Sequence, residues 1–142
     1  MFVYNDFFIV FWLRTRSTRC VILVSDKEMF LFSCQINQKT KVIYDDAFSD
    51  CTSLTSVIIG DGVISIGRGA FYKCTSLTST NIPKSVTSIG SDAFYNCDSL
   101  TSVYISDIAS WCGIEFGNSY ANPLCCGANL YLNENIVTEL VI

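Results

Sequence analysis

The sequence predicts a mainly β repeat solenoid, a right-handed coil built from short strands and single helical turns. A block that begins with Ala-Phe recurs at intervals of 23 residues, at 47–59, 70–82 and 93–105. The three blocks align without gaps, and their apolar positions stay nearly constant. Self-similarity at a fixed period is the sequence signature of repeat architectures, in which each unit packs only against its neighbours.

Each block ends in the pattern Leu-x-x-Val-x-Ile, which predicts a short strand. Leu54, Val57 and Ile59 of the first block are expected to face inward and the residues between them outward. A second extended segment, Val-x-x-Ile-Gly, recurs at 63–67 and 86–90, and its glycine is expected to permit a sharp turn. Between that glycine and the next cysteine, Ala-Phe predicts a single helical turn.

One repeat is not expected to fold alone, because burying its few apolar side chains does not offset the entropy lost in ordering the whole unit. Stacked repeats bury the same side chains against their neighbours and pair strands between units. Two apolar ladders are therefore expected through the stack, and their members are Phe48, Phe71 and Phe94, and Leu54, Leu77 and Leu100.

Two departures from the pattern are expected to weaken the stack locally. Thr80 stands where Val57 and Val103 stand in the other blocks, so a hydroxyl faces inward and needs a backbone partner. In the unit before the first block, Thr40 and Tyr44 replace the Val and Gly of the second extended segment. That unit is degenerate, as terminal repeats often are.

Composition excludes several classes of function. Histidine is absent, which removes Ser-His-Asp and Cys-His pairs and the commonest metal ligand. The formal net charge is −4 and only 15% of the residues are charged, so nucleic acid is not expected as a partner. The single basic cluster, Arg14, Arg16 and Arg19, has no interleaved aromatic residues. We expect no enzyme, no catalytic residue and no cofactor.

Neither the carboxylates nor the cysteines form a metal-binding pattern. Asp45 precedes an Ala-Phe turn and Asp61 lies in a Gly-Asp-Gly turn, so no spacing assembles the roughly six or more oxygen ligands of a calcium site. No C-x-x-C pair occurs. Cys51, Cys74 and Cys97 recur with the repeat, which is typical of small buried residues. No metal site is therefore expected.

Two further features lie in the C-terminal part of the chain. Asn118, Tyr120 and Asn122 are candidates to line a small polar pocket, although loops rich in Gly and Asn are usually only loops. The adjacent Cys125 and Cys126 are expected to be packing residues rather than a vicinal disulfide.

The full pattern, Leu-x-x-Val-x-Ile followed by Val-x-x-Ile-Gly-x-x-Ala-Phe-x-x-Cys-x-x-Leu, resembles the BspA-type leucine-rich repeats. The resemblance covers 40–105 closely, and the variant unit at 106–142 also looks like that family in Ile108-Ala109-Ser110-Trp111-Cys112 and Leu130-Tyr131-Leu132-Asn133. It implies a leucine-rich-repeat-like coil and a surface or secreted protein of a host-associated microbe. The implied roles are adhesion and the binding of protein or matrix, without catalytic residues.

The chain is expected to divide into an irregular N-terminal segment, 1–39, and a leucine-rich repeat solenoid, 40–142. The solenoid has regular repeats at 40–105 and a variant repeat at 106–142. The apolar run Phe7–Leu13 is far below the ~20 residues needed to cross a bilayer, and its flanking charges do not fit an export signal. No transmembrane span is therefore expected.

Both ends of the predicted solenoid need a cover, because a repeat stack otherwise exposes apolar side chains. Phe30-Leu31-Phe32 is a candidate strand over the first repeat. Leu140-Val141-Ile142 has the character of an incoming strand, and no polar capping unit follows it. The chain is therefore expected to be a truncated piece of a longer array, with self-association through its uncapped ends.

The leading functional hypothesis is a non-catalytic binding or adhesion module, with a protein or matrix ligand, at a cell surface or outside the cell as the resemblance implies. Its contact face is expected to be the outward side of the strand ladder, formed by Ser56, Ile58, Ser79, Asn81, Ser102 and Tyr104. Tyr104 and Ile58 are the expected anchors, because such side chains supply contact area at low entropic cost. The alternatives are a structural spacer and a truncated fragment without independent function.

Overall fold

The computed structural model describes residues 2–3, 8–15, 18–25 and 32–138, with side chains from 33 to 138. The strands, in chain order, are β1 (Phe2–Val3), β2 (Phe8–Thr15), β3 (Thr18–Ser25), β4 (Phe32–Gln35), β5 (Val42–Ile43), β6 (Leu54–Ile58), β7 (Ser65–Ile66), β8 (Ser79–Asn81), β9 (Ser88–Ile89), β10 (Ser102–Ile105), β11 (Glu115–Phe116), β12 (Asn129–Leu132) and β13 (Asn135–Ile136). Helix α1 covers Ile108–Cys112, and two 3₁₀ helices cover Ser119–Ala121 and Pro123–Cys126.

The strands form two sheets. The first has the order β1-β2-β3-β4-β6-β8-β10-β12-β13, and the second has the order β11-β9-β7-β5. From β4 to β12 the first sheet is a parallel ladder, and every pair in the second sheet is parallel. Successive repeats stay in register, as the alignment of Ser56 with Ser79 and of Ser79 with Ser102 demonstrates. The predicted repeat solenoid is confirmed.

Antiparallel strands flank the parallel ladder of the first sheet on both sides. β2 and β3 pair antiparallel along their full length, and β3 joins β4 through Ile22 and Cys34. On the other side β13 folds back on β12, and Asn133 and Glu134 in the connecting turn have positive φ angles of 48° and 70°. The parallel ladder therefore lies between two antiparallel hairpins.

One predicted boundary of the solenoid, residue 40, lies within the described chain, and the other, residue 142, lies outside it. β4 begins at Phe32, the last residue of the candidate N-terminal strand, and it pairs with β6. Residues 30–31 and the predicted incoming strand at 140–142 lie outside the described residues. The division of the chain at residue 40 stays a prediction.

Both predicted apolar ladders run through the core. The ring centroids of Phe48 and Phe71 are 5.2 Å apart, and those of Phe71 and Phe94 are also 5.2 Å apart. All three phenylalanines and the three leucines of the second ladder are buried. Thr80 is buried as well, and its hydroxyl donates to the Asn81 carbonyl at 3.3 Å, which supplies the backbone partner that the sequence required.

The segment predicted as a helical turn is a run of hydrogen bonds between residues three apart, interrupted by left-handed residues. Ala47, Ser49 and Cys51 each donate their N–H to the carbonyl three residues earlier. Two positions in each repeat have positive φ, one occupied by Asp46, Gly69 and Asp92, the other by Asp50, Lys73 and Asn96. These left-handed residues prevent the turn from continuing as a helix.

The glycine of the second extended segment is required by close packing between repeats rather than by a turn. A Cβ at Gly67 would lie 2.5 Å from the Asp45 backbone nitrogen, which is too close for any other residue. A Cβ at Gly90 would meet the preceding repeat at the same distance, on the backbone nitrogen of Arg68. Tyr44 occupies the equivalent position beside β5, the edge strand of its sheet, so its side chain is exposed instead.

Candidate functional site

The outward face of the parallel ladder consists of two rows of side chains that run across the strands. The serine row is Ser33, Ser56, Ser79, Ser102 and Asn129, aligned in register from β4 to β12. The tyrosine row lies two residues further along each strand and is Gln35, Ile58, Asn81, Tyr104, Tyr131 and Ile136. All six residues predicted to face a ligand lie in these two rows, and their role towards a ligand stays a prediction.

Both predicted anchors are exposed members of the tyrosine row. Ile58 is 55% exposed and Tyr104 is 41% exposed, although both are large apolar side chains on regular strands. The serines of the neighbouring row are half-buried. The face therefore combines exposed apolar area with a line of hydroxyl groups.

Asn81 differs from the other members of its row because its side chain completes the sheet. Its Nδ2 donates to the Ile59 carbonyl at 2.8 Å, and its Oδ1 accepts from the Ile59 N–H at 2.6 Å. At the equivalent positions Ile36 and Ile82 donate their N–H to backbone carbonyls of the next repeat, those of Ile58 and Tyr104. The Asn81 amide therefore replaces a backbone partner between β6 and β8.

Two residues that the sequence reasoning did not select extend the apolar part of the face. The rings of Tyr104 and Tyr131 stack with centroids 5.1 Å apart and an interplanar angle of 27°. Ile136 pairs with Tyr131 across β12 and β13 and is 49% exposed. The motif Leu-Tyr-Leu-Asn of the variant unit contains Tyr131, but its spacing departs from the regular period, so alignment of the blocks could not place it beside Tyr104.

The two rows carry no charged side chain. Asp107 follows β10, and its carboxylate caps α1 by accepting from the Ser110 N–H at 2.8 Å. Hydrogen bonds from Ser110 lower the pKa of Asp107, so this carboxylate is ionised and held by the helix. Lys84 also acts electrostatically on Asp107, and Glu134 lies in the turn after β12. The face itself is electrically neutral.

A second line of aromatic residues lies on the turn side of the solenoid. The rings of Tyr72 and Tyr95 stack at 5.4 Å, and Tyr120 meets Tyr95 edge-on at 4.9 Å. The Lys73 ammonium lies 5.2 Å from the centroid of the Tyr72 ring. We call this line the turn-side tyrosines, and it provides matched control positions for the sheet face.

The candidate polar pocket of the variant unit consists of side chains with internal partners. Asn118 donates its Nδ2 to Asp92 Oδ1 at 2.8 Å and accepts from the Asp92 N–H at 3.0 Å. Asn122 accepts from the Leu124 N–H at 2.9 Å and caps the second 3₁₀ helix. Both amides therefore hold turns of the variant unit in place.

Two of the three periodic cysteines, Cys74 and Cys97, are fully buried in the stack, as the repeat predicts. The third, Cys51, is half-buried. The Cys97 thiol donates to the Phe71 carbonyl at 3.1 Å, and Cys126 continues this ladder with a bond to the Phe94 carbonyl. Burial raises the pKa of Cys97 to about 12, so the thiol stays protonated. Cys125 and Cys126 are free thiols with sulfur atoms 3.6 Å apart.

The described residues contain neither a metal-binding cluster nor a membrane-spanning helix. No set of three or more His, Cys, Asp and Glu side chains in that part of the chain is arranged to hold a metal ion. Within the same ranges no helix has the length and apolar character needed to cross a membrane.

The two parallel ladders and their 23-residue register define a repeat solenoid of the leucine-rich type. The BspA type leucine rich repeat region matches residues 27–120 in six copies. The chain therefore belongs to the BspA-type leucine-rich repeat family, and the resemblance found in the sequence is confirmed. Proteins of this kind typically act by binding other proteins. No match was found among curated proteins.

Solved structures of other leucine-rich proteins are similar to this chain. The leucine-rich repeat protein of T. pallidum is 18% identical, with 90% of this chain and 70% of that one covered and a TM-score of 0.51. A leucine-rich repeat protein from Bacteroides ovatus is 24% identical, with 80% of this chain and 33% of that one covered and a TM-score of 0.48. A leucine rich cell surface protein from Faecalibacterium prausnitzii is 21% identical, with 70% of this chain and 41% of that one covered and a TM-score of 0.33. The chain thus spans about a third of the Bacteroides ovatus protein.

Proposed function

We propose that this chain is a non-catalytic binding or adhesion module that presents the outward face of its parallel ladder to a protein or matrix ligand. The observation that carries the proposal is the combination of exposed Ile58 and Tyr104 with the half-buried serine row on one regular sheet. Aromatic anchors supply most of the affinity at protein-binding surfaces, and serine hydroxyls beside them can supply adaptable hydrogen bonds.

The shape of the face supports binding rather than catalysis. Its side chains project from strands that lie side by side, so the ligand meets a shallow surface and not an enclosed pocket. Membership of the BspA-type family supports a location at a cell surface or outside the cell, and we propose that location for this chain. The matrix ligand is then a protein that the exposed face meets in solution or on a host surface.

Binding of the full chain to immobilised type I collagen, laminin and fibronectin tests this proposal, with biolayer interferometry as the readout. We expect saturable binding to at least one of them and a loss of affinity of about tenfold or more in Tyr104→Ala, because such a loss is typical when an anchor is truncated. Ile58→Ser should weaken the same interaction.

Tyr72→Ala is the matched control, because it removes the same side chain from the turn-side tyrosines. It should bind within about twofold of the unaltered chain. Equal affinity of Tyr104→Ala, Ile58→Ser and Tyr72→Ala would show that the sheet face is not the contact surface. Absence of saturable binding to every matrix protein would favour the alternative of a structural spacer.

A further inference from the structure

From β6 to β13 exposure alternates along the tyrosine row, whereas Gln35 on β4 and Ile58 on β6 are both exposed. Ile58, Tyr104 and Ile136 are 55%, 41% and 49% exposed, whereas Asn81 and Tyr131 between them are half-buried. The exposed members are therefore two strands apart each time, because the register places Asn81 between Ile58 and Tyr104 and Tyr131 between Tyr104 and Ile136. Neighbouring strands lie about 4.8 Å apart, so the exposed apolar side chains recur about every 9.6 Å.

That interval matches the repeat of a polyproline II helix. Such a helix has three residues per turn and a rise of about 3.1 Å per residue, so side chains on one of its edges recur about every 9.3 Å. A chain in this conformation that crosses the strands at right angles would place one residue of each turn on Ile58, Tyr104 and Ile136. The two periods differ by about 0.3 Å per turn, so three contacts stay in phase.

The chemistry of the face fits the same ligand. Proline rings pack against tyrosine side chains, and aromatic-lined surfaces are the usual docking sites for proline-rich segments. A polyproline II chain has no internal hydrogen bonds, so its carbonyl groups are open to donors. The hydroxyls of Ser79 and Ser102 lie two residues along the strands from the tyrosine row, roughly 6.6 Å away, and are suitable donors.

Charge and width narrow the class of partner further. No side chain of either row is charged, so the face complements an uncharged segment and offers no ion pair to a charged one. The two rows are only about 6.6 Å apart, which suits one extended chain better than a bundle of three. A preformed polyproline II chain also loses little conformational entropy when it binds.

We propose that the outward face binds a single uncharged proline-rich segment in the polyproline II conformation, laid across β6 to β13 with its contacts at Ile58, Tyr104 and Ile136. This inference rests on the proposed function, because it names the partner of the same face. The probe that tests it is a fluorescein-labelled, amidated deca-proline peptide, titrated with the full chain up to about 1 mM and followed by fluorescence anisotropy.

We expect saturable binding of deca-proline and none of a labelled Gly-Ser peptide of equal length. Tyr104→Ala and Ile136→Ser should each weaken the binding about fivefold or more, whereas Tyr72→Ala should leave it within about twofold. Because no ion pair contributes, raising NaCl from about 50 mM to 500 mM should change the affinity by less than about twofold. Far-ultraviolet circular dichroism checks that each variant is folded.

Two results would overturn the assignment. One is the absence of saturable deca-proline binding, and the other is equal affinity of Tyr104→Ala and Tyr72→Ala for the peptide. A triple-helical Gly-Pro-Hyp peptide that binds where deca-proline does not would contradict the single-chain ligand. If a matrix protein still binds in a Tyr104-dependent manner while deca-proline does not, the proposed function stands and the proline-rich partner alone is refuted.

Discussion

Asn81→Leu removes the side chain that completes the hydrogen bonding between the first two regular repeats. In the unaltered chain the Asn81 amide pairs with both the N–H and the carbonyl of Ile59, at 2.6 Å and 2.8 Å. Ile59 is buried, so water cannot easily replace the missing amide. Leucine has the same branching at Cγ as asparagine but bulkier terminal groups, and the half-buried position of residue 81 leaves room for them on the outward side of the sheet. The substitution therefore mainly removes the hydrogen bonds.

The expected cost follows from the two groups left unpaired. A buried backbone donor or acceptor without a partner costs about 1–3 kcal/mol, so the free energy of unfolding should fall by about 2–4 kcal/mol after some local relaxation. Asn81→Asp keeps an acceptor for the Ile59 N–H but sets a carboxylate against the Ile59 carbonyl. It should therefore also be destabilised.

Urea unfolding at 25 °C, followed by far-ultraviolet circular dichroism, measures the effect. Each repeat packs only against its neighbours, so the first repeat can unfold separately when its bonds to the second are lost. In that case the slope of the free energy of unfolding against urea concentration should also decrease. Ile58→Ser is the control, because Ile58 is the exposed neighbour of Asn81 in the tyrosine row. This substitution should change the free energy of unfolding by only about 0.5 kcal/mol. Stability of Asn81→Leu within about 0.5 kcal/mol of the unaltered chain would refute the structural role of this amide.

Three further predictions concern local backbone and burial. Lys73 has a φ of 56°, which is a left-handed backbone conformation. Lys73→Gly should therefore be about 0.5–1 kcal/mol more stable towards urea than Lys73→Ala, since both variants lose the contact with Tyr72 and only alanine keeps the strain. Equal stability of the two variants would contradict this prediction. Burial raises the pKa of Cys97 from 9.0 to about 12, so the folded chain keeps a proton that the unfolded chain releases. The stability this thiol contributes is complete below pH 9 and is lost as the pH rises towards 12. In reducing buffer the free energy of unfolding of the unaltered chain, relative to that of Cys97→Ala, should fall by up to about 1.4 kcal/mol per pH unit in this range. A difference between the two free energies that stays constant from about pH 8 to pH 10 would refute the prediction. Thr80→Val restores the valine of the neighbouring repeats at a buried position and should raise the free energy of unfolding by about 0.5–1 kcal/mol. A fall of more than about 1 kcal/mol would mean that the hydroxyl stabilises the fold more than its single bond to the Asn81 carbonyl implies.

The period and the core could be derived from the sequence because both rest on residues that recur. Phe48, Phe71 and Phe94 stack as their spacing predicts. Strand alternation predicts the outward positions and therefore puts Ile58 and Tyr104 on one face. The sequence predicts a turn at Gly67, but the role of this glycine is close packing against the preceding repeat, which only the stacked structure reveals.

The parts that the sequence did not predict depend on contacts between units of different length. Tyr131 stacks on Tyr104 through the variant unit, whose strand is not spaced by the regular period. Strand alternation predicts only that Asn81 is one more outward residue, because a side chain that replaces a backbone partner leaves no periodic signal. The turn-side tyrosines follow the Ala-Phe pair in two blocks, so their stacking could have been inferred from the same alignment.

The measurement that tests the central claim most directly is the ratio of affinities of Tyr104→Ala and Tyr72→Ala for one matrix protein, with both variants checked for native circular dichroism. Tyr104 stacks in the tyrosine row and Tyr72 among the turn-side tyrosines, so the two variants remove the same side chain from different surfaces and their difference reports the face and not the fold. We predict that Tyr104→Ala binds at least about tenfold more weakly than Tyr72→Ala. Equal affinities, or a greater loss in Tyr72→Ala, would contradict it.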